Sequence, residues 1–287
     1  MDNADKDIKI SLAQWSLHHA IQSGTMDKLD FAKKAGQLGF EAVEYVSRFY
    51  TQEAKSAQSF AQIVKEINQR SNDAGIKNLL IMIDGEGNLA SDIARERIEA
   101  INNHLKWLEA AAELGCHSIR VNLTGGDETK QEKWINASTS SLIALSDLAK
   151  AYDLNVIVEN HGGISSNGGV LARVMKNVNL PNVGTLPDLG NFCIRRQDGL
   201  KWPSPCVEAY DRYQGVTEMM PWAKGISAKT YDFNEHGLET TIDYTKMIAI
   251  IKNSGYNGYI GIEYEGQRLS EEEGIIKTKI MLENLLT

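Results

Sequence analysis

LGFEAVEY (38–45), AGIKNLLIM (74–82), LGCHSIRVN (114–122) and SGYNGYIGIEY (254–264) share one grammar. A helical stretch stops at a glycine, an extended apolar run follows, and a polar residue stands near its end. Glycine closes a helix because it takes the left-handed conformation at no steric cost. Working outward from these four, strands are predicted at 9–15, 42–46, 77–83, 118–123, 155–160, 183–188, 225–230 and 259–264. Their centres (Leu12, Val43, Leu80, Ile119, Ile157, Leu186, Ile226 and Ile260) lie 29 to 40 residues apart, room for one strand, one helix and two loops. Amphipathic helices are predicted between them at 27–38, 91–114, 132–152 and 242–253. Eight such units in 287 residues predict an α/β chain forming a (β/α)8 barrel, one domain over 1–287. An open dinucleotide-binding sheet would need G-x-G-x-x-G after its first strand, and SLAQWSLHHAIQSG (11–24) has none. The longest irregular stretch, 191–205, is expected to cover the strand ends.

The formal net charge of −8 repels phosphate backbones and, with no basic run, speaks against a nucleic-acid partner. No apolar run approaches the ~20 residues that span a bilayer, so no membrane partner is expected. Cys116, Cys193 and Cys206 are odd in number and lack CxxC spacing. Reduced thiols are therefore expected, rather than a disulfide framework or a thiolate zinc site. MDNADKDIKI has neither a basic nor an apolar leader region, which makes the expectation cytoplasmic unless the chain is a processed exported form. Barrels of this size commonly pair, so a homo-oligomer is an open expectation that no sequence feature fixes.

In such barrels chemistry sits at the C-terminal ends of the strands. The fifth predicted strand ends with Glu159 and His161, the sixth with Asp188 then Asn191, the seventh with Ser227 and Lys229, and the eighth with Glu263 and Glu265. The fourth offers Arg120 and Asn122, the second Glu44, and the first Gln14 and His18. Glu159, Asp188 and Glu263 each interrupt or close an apolar run, where an unpaired carboxylate costs several kcal/mol. Three converging carboxylates cannot all ionise without a cation. A divalent metal answers this, and oxygen ligation suits Mg²⁺ or Mn²⁺, with Zn²⁺ or Co²⁺ as further options; the alternative is pairing with Arg120 and Lys229. His161, Asn191, Lys229, Glu44 and Trp15 are candidates to bind substrate. Trp15 and Trp202 offer apolar faces that suit a sugar ring but equally suit packing.

VENHGG (158–163), PDLGNF (187–192), SAKTYDF (227–233) and IGIEYEG (260–266) resemble the fifth to eighth strands of the xylose-isomerase-like TIM barrels, the sugar phosphate isomerase/epimerase family. FEAVEY and LGCHSIRVN extend the resemblance over essentially the whole chain. It implies a small-molecule carbohydrate substrate and a divalent metal on Glu, Asp, His and Glu. Glu159, Asp188 and Glu263 match three of these; Ser227 stands where the pattern has His. His161 or a water then completes the site, or the site is weak or metal-free. The resemblance makes Glu159 and Glu263 an acid/base pair acting on a carbon next to a carbonyl, through an enediolate. Isomerisation or epimerisation follows if the proton returns. Dehydration or elimination, a lyase reaction on a keto-sugar, keto-glycoside or keto-inositol, follows if a group leaves the next carbon. A non-catalytic carbohydrate-binding barrel is the third reading. The family also includes DNA-repair nucleases, but six histidines, few of them at strand ends, and the acidic balance disfavour that activity.

Overall fold

The structure is a computed structural model that describes residues 8–127, 129–197, 199 and 204–287. Eight parallel strands form the barrel: β1 (Lys9–Ala13), β2 (Ala42–Val46), β3 (Lys77–Met82), β4 (Ser118–Asn122), β5 (Asn155–Glu159), β6 (Val183–Leu186), β9 (Ile226–Thr230) and β10 (Tyr259–Tyr264). Between β6 and β9 come β7 (Cys193–Arg196) and β8 (Cys206–Ala209), a separate antiparallel pair. The barrel order is β6-β5-β4-β3-β2-β1-β10-β9, and its seam is bridged at Thr185–Ala223 and Asp188–Ser227. This is the predicted (β/α)8 TIM barrel in a single domain. The main helices are α2 (Phe31–Gln37), α3 (Ala57–Asp73), α4 (Ala94–Glu113), α5 (Gln131–Lys150), α6 (Gly168–Val178), α7 (Arg212–Met219), α8 (Tyr244–Asn253) and α9 (Glu271–Leu286); α1 (His18–Gln22) is a short turn after β1.

The helix starts follow from local hydrogen bonding. Ser91 Oγ accepts from the Ile93 N–H and donates to Glu96, so the chain turns there and α4 begins three residues later than predicted. Asp27 accepts from the Leu29 N–H and opens a 3₁₀ turn, which shortens α2. Ser270 and Glu273 cap α9 reciprocally.

Strand periodicity sorts the core into two layers. Val43, Tyr45, Ile119, Val121, Val156, Val158, Ile226, Ala228, Ile260 and Ile262 join the large outer core with the helices. Ala13, Ala42, Val46, Leu80, Met82, Ile157 and Leu186 form a separate cluster, the barrel interior. Glu44, Arg120, Glu159, Ser227, Lys229 and Glu263 fall on the inward parity by the same alternation.

Two expectations are corrected in the stretch 191–205. Its flanks are not irregular: they pair as β7 and β8. The three thiols are not all free either. Cys193 and Cys206 are joined, with Cα atoms 5.8 Å apart, and only Cys116 is free and buried. A count of cysteines carries no information about which loop folds back on itself, and here a hairpin brings two cysteines 13 positions apart into bonding range. Trp202 lies outside the described residues.

Candidate active site

The end of β6 and the strands β9 and β10 bring one cluster together. Asp188 follows β6 and its Oδ1 accepts the backbone N–H groups of Gly190 (2.8 Å) and Asn191 (2.9 Å). Asn160, one residue after β5, locks that turn by donating to the carbonyls of Asp188 and Asn191 and accepting from the Asp188 N–H. Ser227 Oγ lies 2.8 Å from Asp188 Oδ2 and 2.7 Å from Glu263 Oε2. One hydroxyl has one proton to donate, so it cannot donate to both oxygens at once. Lys229, the register partner of Glu263, places Nζ 3.4 Å from Asp188 Oδ2, Glu263 Oε1, Glu265 Oε1 and Asn191 Oδ1.

The other half of the mouth is organised by Arg120 of β4. Its Nη1 donates to Asp84 Oδ1 at 2.7 Å, and its Nε lies 2.8 Å from Glu159 Oε2. The Nε–H is not aligned for a hydrogen bond to that oxygen, so the contact is an ion pair. Asn191 Nδ2 donates to Glu159 Oε1 at 3.1 Å, and Asn122 donates to Asp84. Glu159 is 2% exposed, Asp188 0% and Lys229 3%, so these charges meet in a largely dehydrated space.

Burial dominates their proton affinities. It pushes Glu159 up to about 7, opposed by Arg120 and assisted by Glu263. It pushes Asp188 up to about 7 as well, opposed by Lys229. Burial alone would lower the Lys229 pKa, but Asp188, Glu263 and Glu265 outweigh it and hold the ammonium well above its ordinary value. Glu265 runs the other way from its buried neighbours: Lys229 and the Trp15 N–H overcome its desolvation and lower it. His161 is pulled below the ordinary imidazole range, first by its enclosure among protein atoms and then by Arg120 and Lys229. As a whole residue, His161 is nonetheless exposed to solvent.

Glu44 lies deeper, on β2. Ser11 donates to its Oε1 at 2.7 Å, while Oε2 has no partner among the described residues. Gly261 of β10 makes room for it, since a Cβ there would run into the carboxyl. Burial, with Glu263 and Glu159 adding repulsion against the Ser11 bond, pushes Glu44 up to about 7.

The sequence-predicted residues thus gather in one mouth. Glu159, Asp188 and Glu263 offer ligand oxygens that all lie within 4.8 Å of one another; His161 is not part of that converging set. Asn191 and Lys229 stand among them, and Glu44 lies on the same inward face. Trp15 donates its Nε1–H to Glu265 at 2.7 Å, while its ring stacks on His18 at 4.6 Å and lies 5.9 Å from Phe49. Asp84 and Arg48 were not singled out from sequence. Asp84 closes IMID (81–84), a polar residue at a strand exit like the others, so its signal was present. Arg48 follows β2 and packs 5.9 Å from the Trp15 ring, with nothing in the sequence to mark it.

Residues 30–285 match the family described as xylose isomerase-like TIM barrel. The chain belongs to this family. Solved structures with this fold include L-ribulose 3-epimerase (TM-score 0.73, 12% identity, 97% of this chain and 94% of that one). The 3-keto-D-glucoside 4-epimerase YcjR of E. coli superposes with TM-score 0.70 at 13% identity over 97% of this chain and all of that one. The IOLI protein, solved with a zinc atom, gives 0.71 at 16% identity over 97% and 98%. Among curated proteins, the C-glycoside deglycosidase alpha subunit of Arthrobacter globiformis is 31% identical over 80 residues, which is 28% of this chain and 20% of that protein.

The carboxylates present fit a divalent cation. Among the described residues, Glu44, Asp84, Glu159, Asp188, Glu263 and Glu265 share two buried cations, Arg120 and Lys229. That leaves negative charge in excess, the condition a hard cation relieves. Glu159, Asp188 and Glu263 are the residues that would hold it. Ser227, where the resemblance implies a histidine, offers only a neutral hydroxyl oxygen beside them.

Proposed function

We propose that this family member is a carbohydrate isomerase or epimerase that moves a proton on a carbon next to a carbonyl. The observation that carries this reading is the convergence of Glu159 and Glu263, on separate strands, around one mouth with Asp188. Glu159 is raised to about 7, so near neutrality it is poised both to take and to give a proton, the condition for general acid/base work. Glu159 and Glu263 serve as the acid/base pair. A divalent cation such as Mn²⁺ or Mg²⁺, when bound by Glu159, Asp188 and Glu263, would polarise substrate oxygens as a Lewis acid. Lys229 presents the ammonium nearest the carboxylates and favours the negative charge that develops on the substrate oxygen. Asn191 fixes Glu159, and exposed His161 is the candidate to meet a substrate hydroxyl. The fold likeness to sugar epimerases supports a small carbohydrate as the partner.

The test is exchange in D₂O. The protein is incubated with Mn²⁺ and a panel of ketohexoses and keto-glycosides, and the sugars are read by NMR. Deuterium next to the carbonyl of an intact sugar, lost in Glu263→Gln, is the expected result; absence of exchange across the panel sinks the reading. The 80-residue similarity to a C-glycoside deglycosidase subunit favours a second reading, elimination from a keto-glycoside by the same carboxyls. Release of the aglycone without exchange into intact sugar distinguishes it.

Among the described residues no helix is long and apolar enough to cross a membrane. The Cys193–Cys206 disulfide supports an oxidising compartment over the cytoplasmic expectation, because reducing compartments keep such thiols open.

A further inference from the structure

Every oxygen of the three candidate ligands already has a partner. Glu159 Oε1 accepts from Asn191 and Oε2 faces Arg120. Asp188 Oδ1 accepts two backbone N–H groups, and Oδ2 faces both Ser227 and Lys229. Glu263 Oε1 faces Lys229, and Oε2 faces Ser227. Lys229 Nζ stands at one distance, 3.4 Å, from four oxygens on four residues. An ammonium bound to one acceptor sits closer to that one, near 2.8 Å. This one is centred in an oxygen cage, as a metal ion is centred among its ligands.

We propose that Lys229 is the resident cation of this cluster and competes with a divalent metal for Asp188 and Glu263. The proposal rests on the functional reading above only in treating the same mouth as the active site. A divalent ion on the triad must take oxygens that Lys229 and Ser227 now hold, and it must do so beside a second positive charge that its tether keeps in place. Ser227 compounds the effect: the position that would supply a neutral nitrogen ligand supplies a hydroxyl engaged with two of the carboxylates. The pair turns a tight site into a weak, exchangeable one, in which metal supply sets occupancy. Lys229 leaves the carboxylates partly neutralised when the metal departs.

Manganese binding measured by electron paramagnetic resonance of free Mn²⁺, with no sugar present, tests this directly. Wild type should bind weakly. Lys229→Met and Lys229→Gln should bind at least about tenfold more tightly, the scale on which groups around a metal alter its affinity. Ser227→His should also tighten binding, and more so combined with Lys229→Met. Equal or weaker binding by both lysine variants overturns the proposal, as does stoichiometric tight Mn²⁺ in the wild type. If a lysine variant unfolds without metal, its thermal transition is followed with added Mn²⁺. Recovery beyond any wild-type shift supports the competition, and no recovery refutes it. Metal competition without deuterium exchange would remove the functional reading and leave this inference standing. Exchange without competition would do the reverse.

Discussion

Arg120→Met removes the buried cation that ties Asp84 to Glu159 in one half of the mouth. Arg120 is 4% exposed, bonds Asp84 at 2.7 Å and faces Glu159 at 2.8 Å. Asp84 has 27% of its side chain exposed and keeps Asn122, so its loss is partly screened by water. Glu159 keeps its bond from Asn191 but, at 2% exposed, has no such access to water. Stripping one partner from a buried pair costs about 3–5 kcal/mol. For a chain of this size each kcal/mol lowers the melting temperature by roughly 2 °C, at the low end of the range for large domains, which gives about 6–10 °C. A pH signature separates charge from packing. Glu159 is raised in the folded state, so the native protein binds the proton more tightly than the unfolded chain, and stability falls as pH rises from the ordinary value of 4.5 toward about 7. Without Arg120 the carboxyl rises further and that window extends upward. The melting deficit of Arg120→Met should therefore be largest at pH 8 and shrink toward pH 5, where Glu159 takes a proton. Calorimetry at both pH values decides it. An equal deficit at pH 5 and pH 8 would mean that lost packing, not a stranded charge, is the cause; a deficit below about 2 °C at pH 8 would refute the ion-pair account altogether.

Glu44→Gln should be more stable relative to wild type at pH 8 than at pH 5, by about 1–3 kcal/mol. Above about 7 the wild type must carry a buried charge with one unpartnered oxygen and the variant carries none; thermal melts that show no pH dependence in the difference would contradict this. Gly261→Ala should destabilise by about 1–3 kcal/mol or block folding, because its methyl group meets the Glu44 carboxyl, and a denaturant midpoint unchanged from wild type would argue against the placement of Glu44. Iodoacetamide on denatured protein should label Cys116 alone without reductant and all three cysteines with it; three labels without reductant would show that the hairpin thiols are open. Glu263→Gln should lower deuterium exchange by about 10²–10⁴, the usual range for a lost general acid or base, and undiminished exchange would remove Glu263 from the mechanism.

The barrel was legible because its signal is repeated. Each unit shows a glycine stop, an apolar run and a polar exit, and β2 and β10 run over the residues their patterns predict. The inward set was legible for a related reason. A carboxylate such as Glu159 or Glu263, flanked by Val158 or Ile262 on the helix-facing parity, has only the barrel interior left to face. Pairing of the carboxylates with Arg120 and Lys229 was one of the alternatives the sequence left open and it is present, but which oxygens each cation reaches was not legible, because that depends on strands far apart in sequence. Nothing in IRVN announces that Arg120 will reach both Asp84 and Glu159, and nothing in CIRR and CVEA announces a disulfide. Ser227 shows where the two kinds of information meet. From sequence it was a departure that left the metal open, with His161 or a water as substitutes. In the structure His161 lies outside the converging set, and the side chain at position 227 is a hydroxyl within hydrogen-bond distance of both Asp188 and Glu263. The departure at Ser227 therefore cannot be read apart from Lys229 two residues on, on the same face of β9. One residue withdraws a ligand and the other supplies a charge, and a change to either alters what the carboxylates can hold.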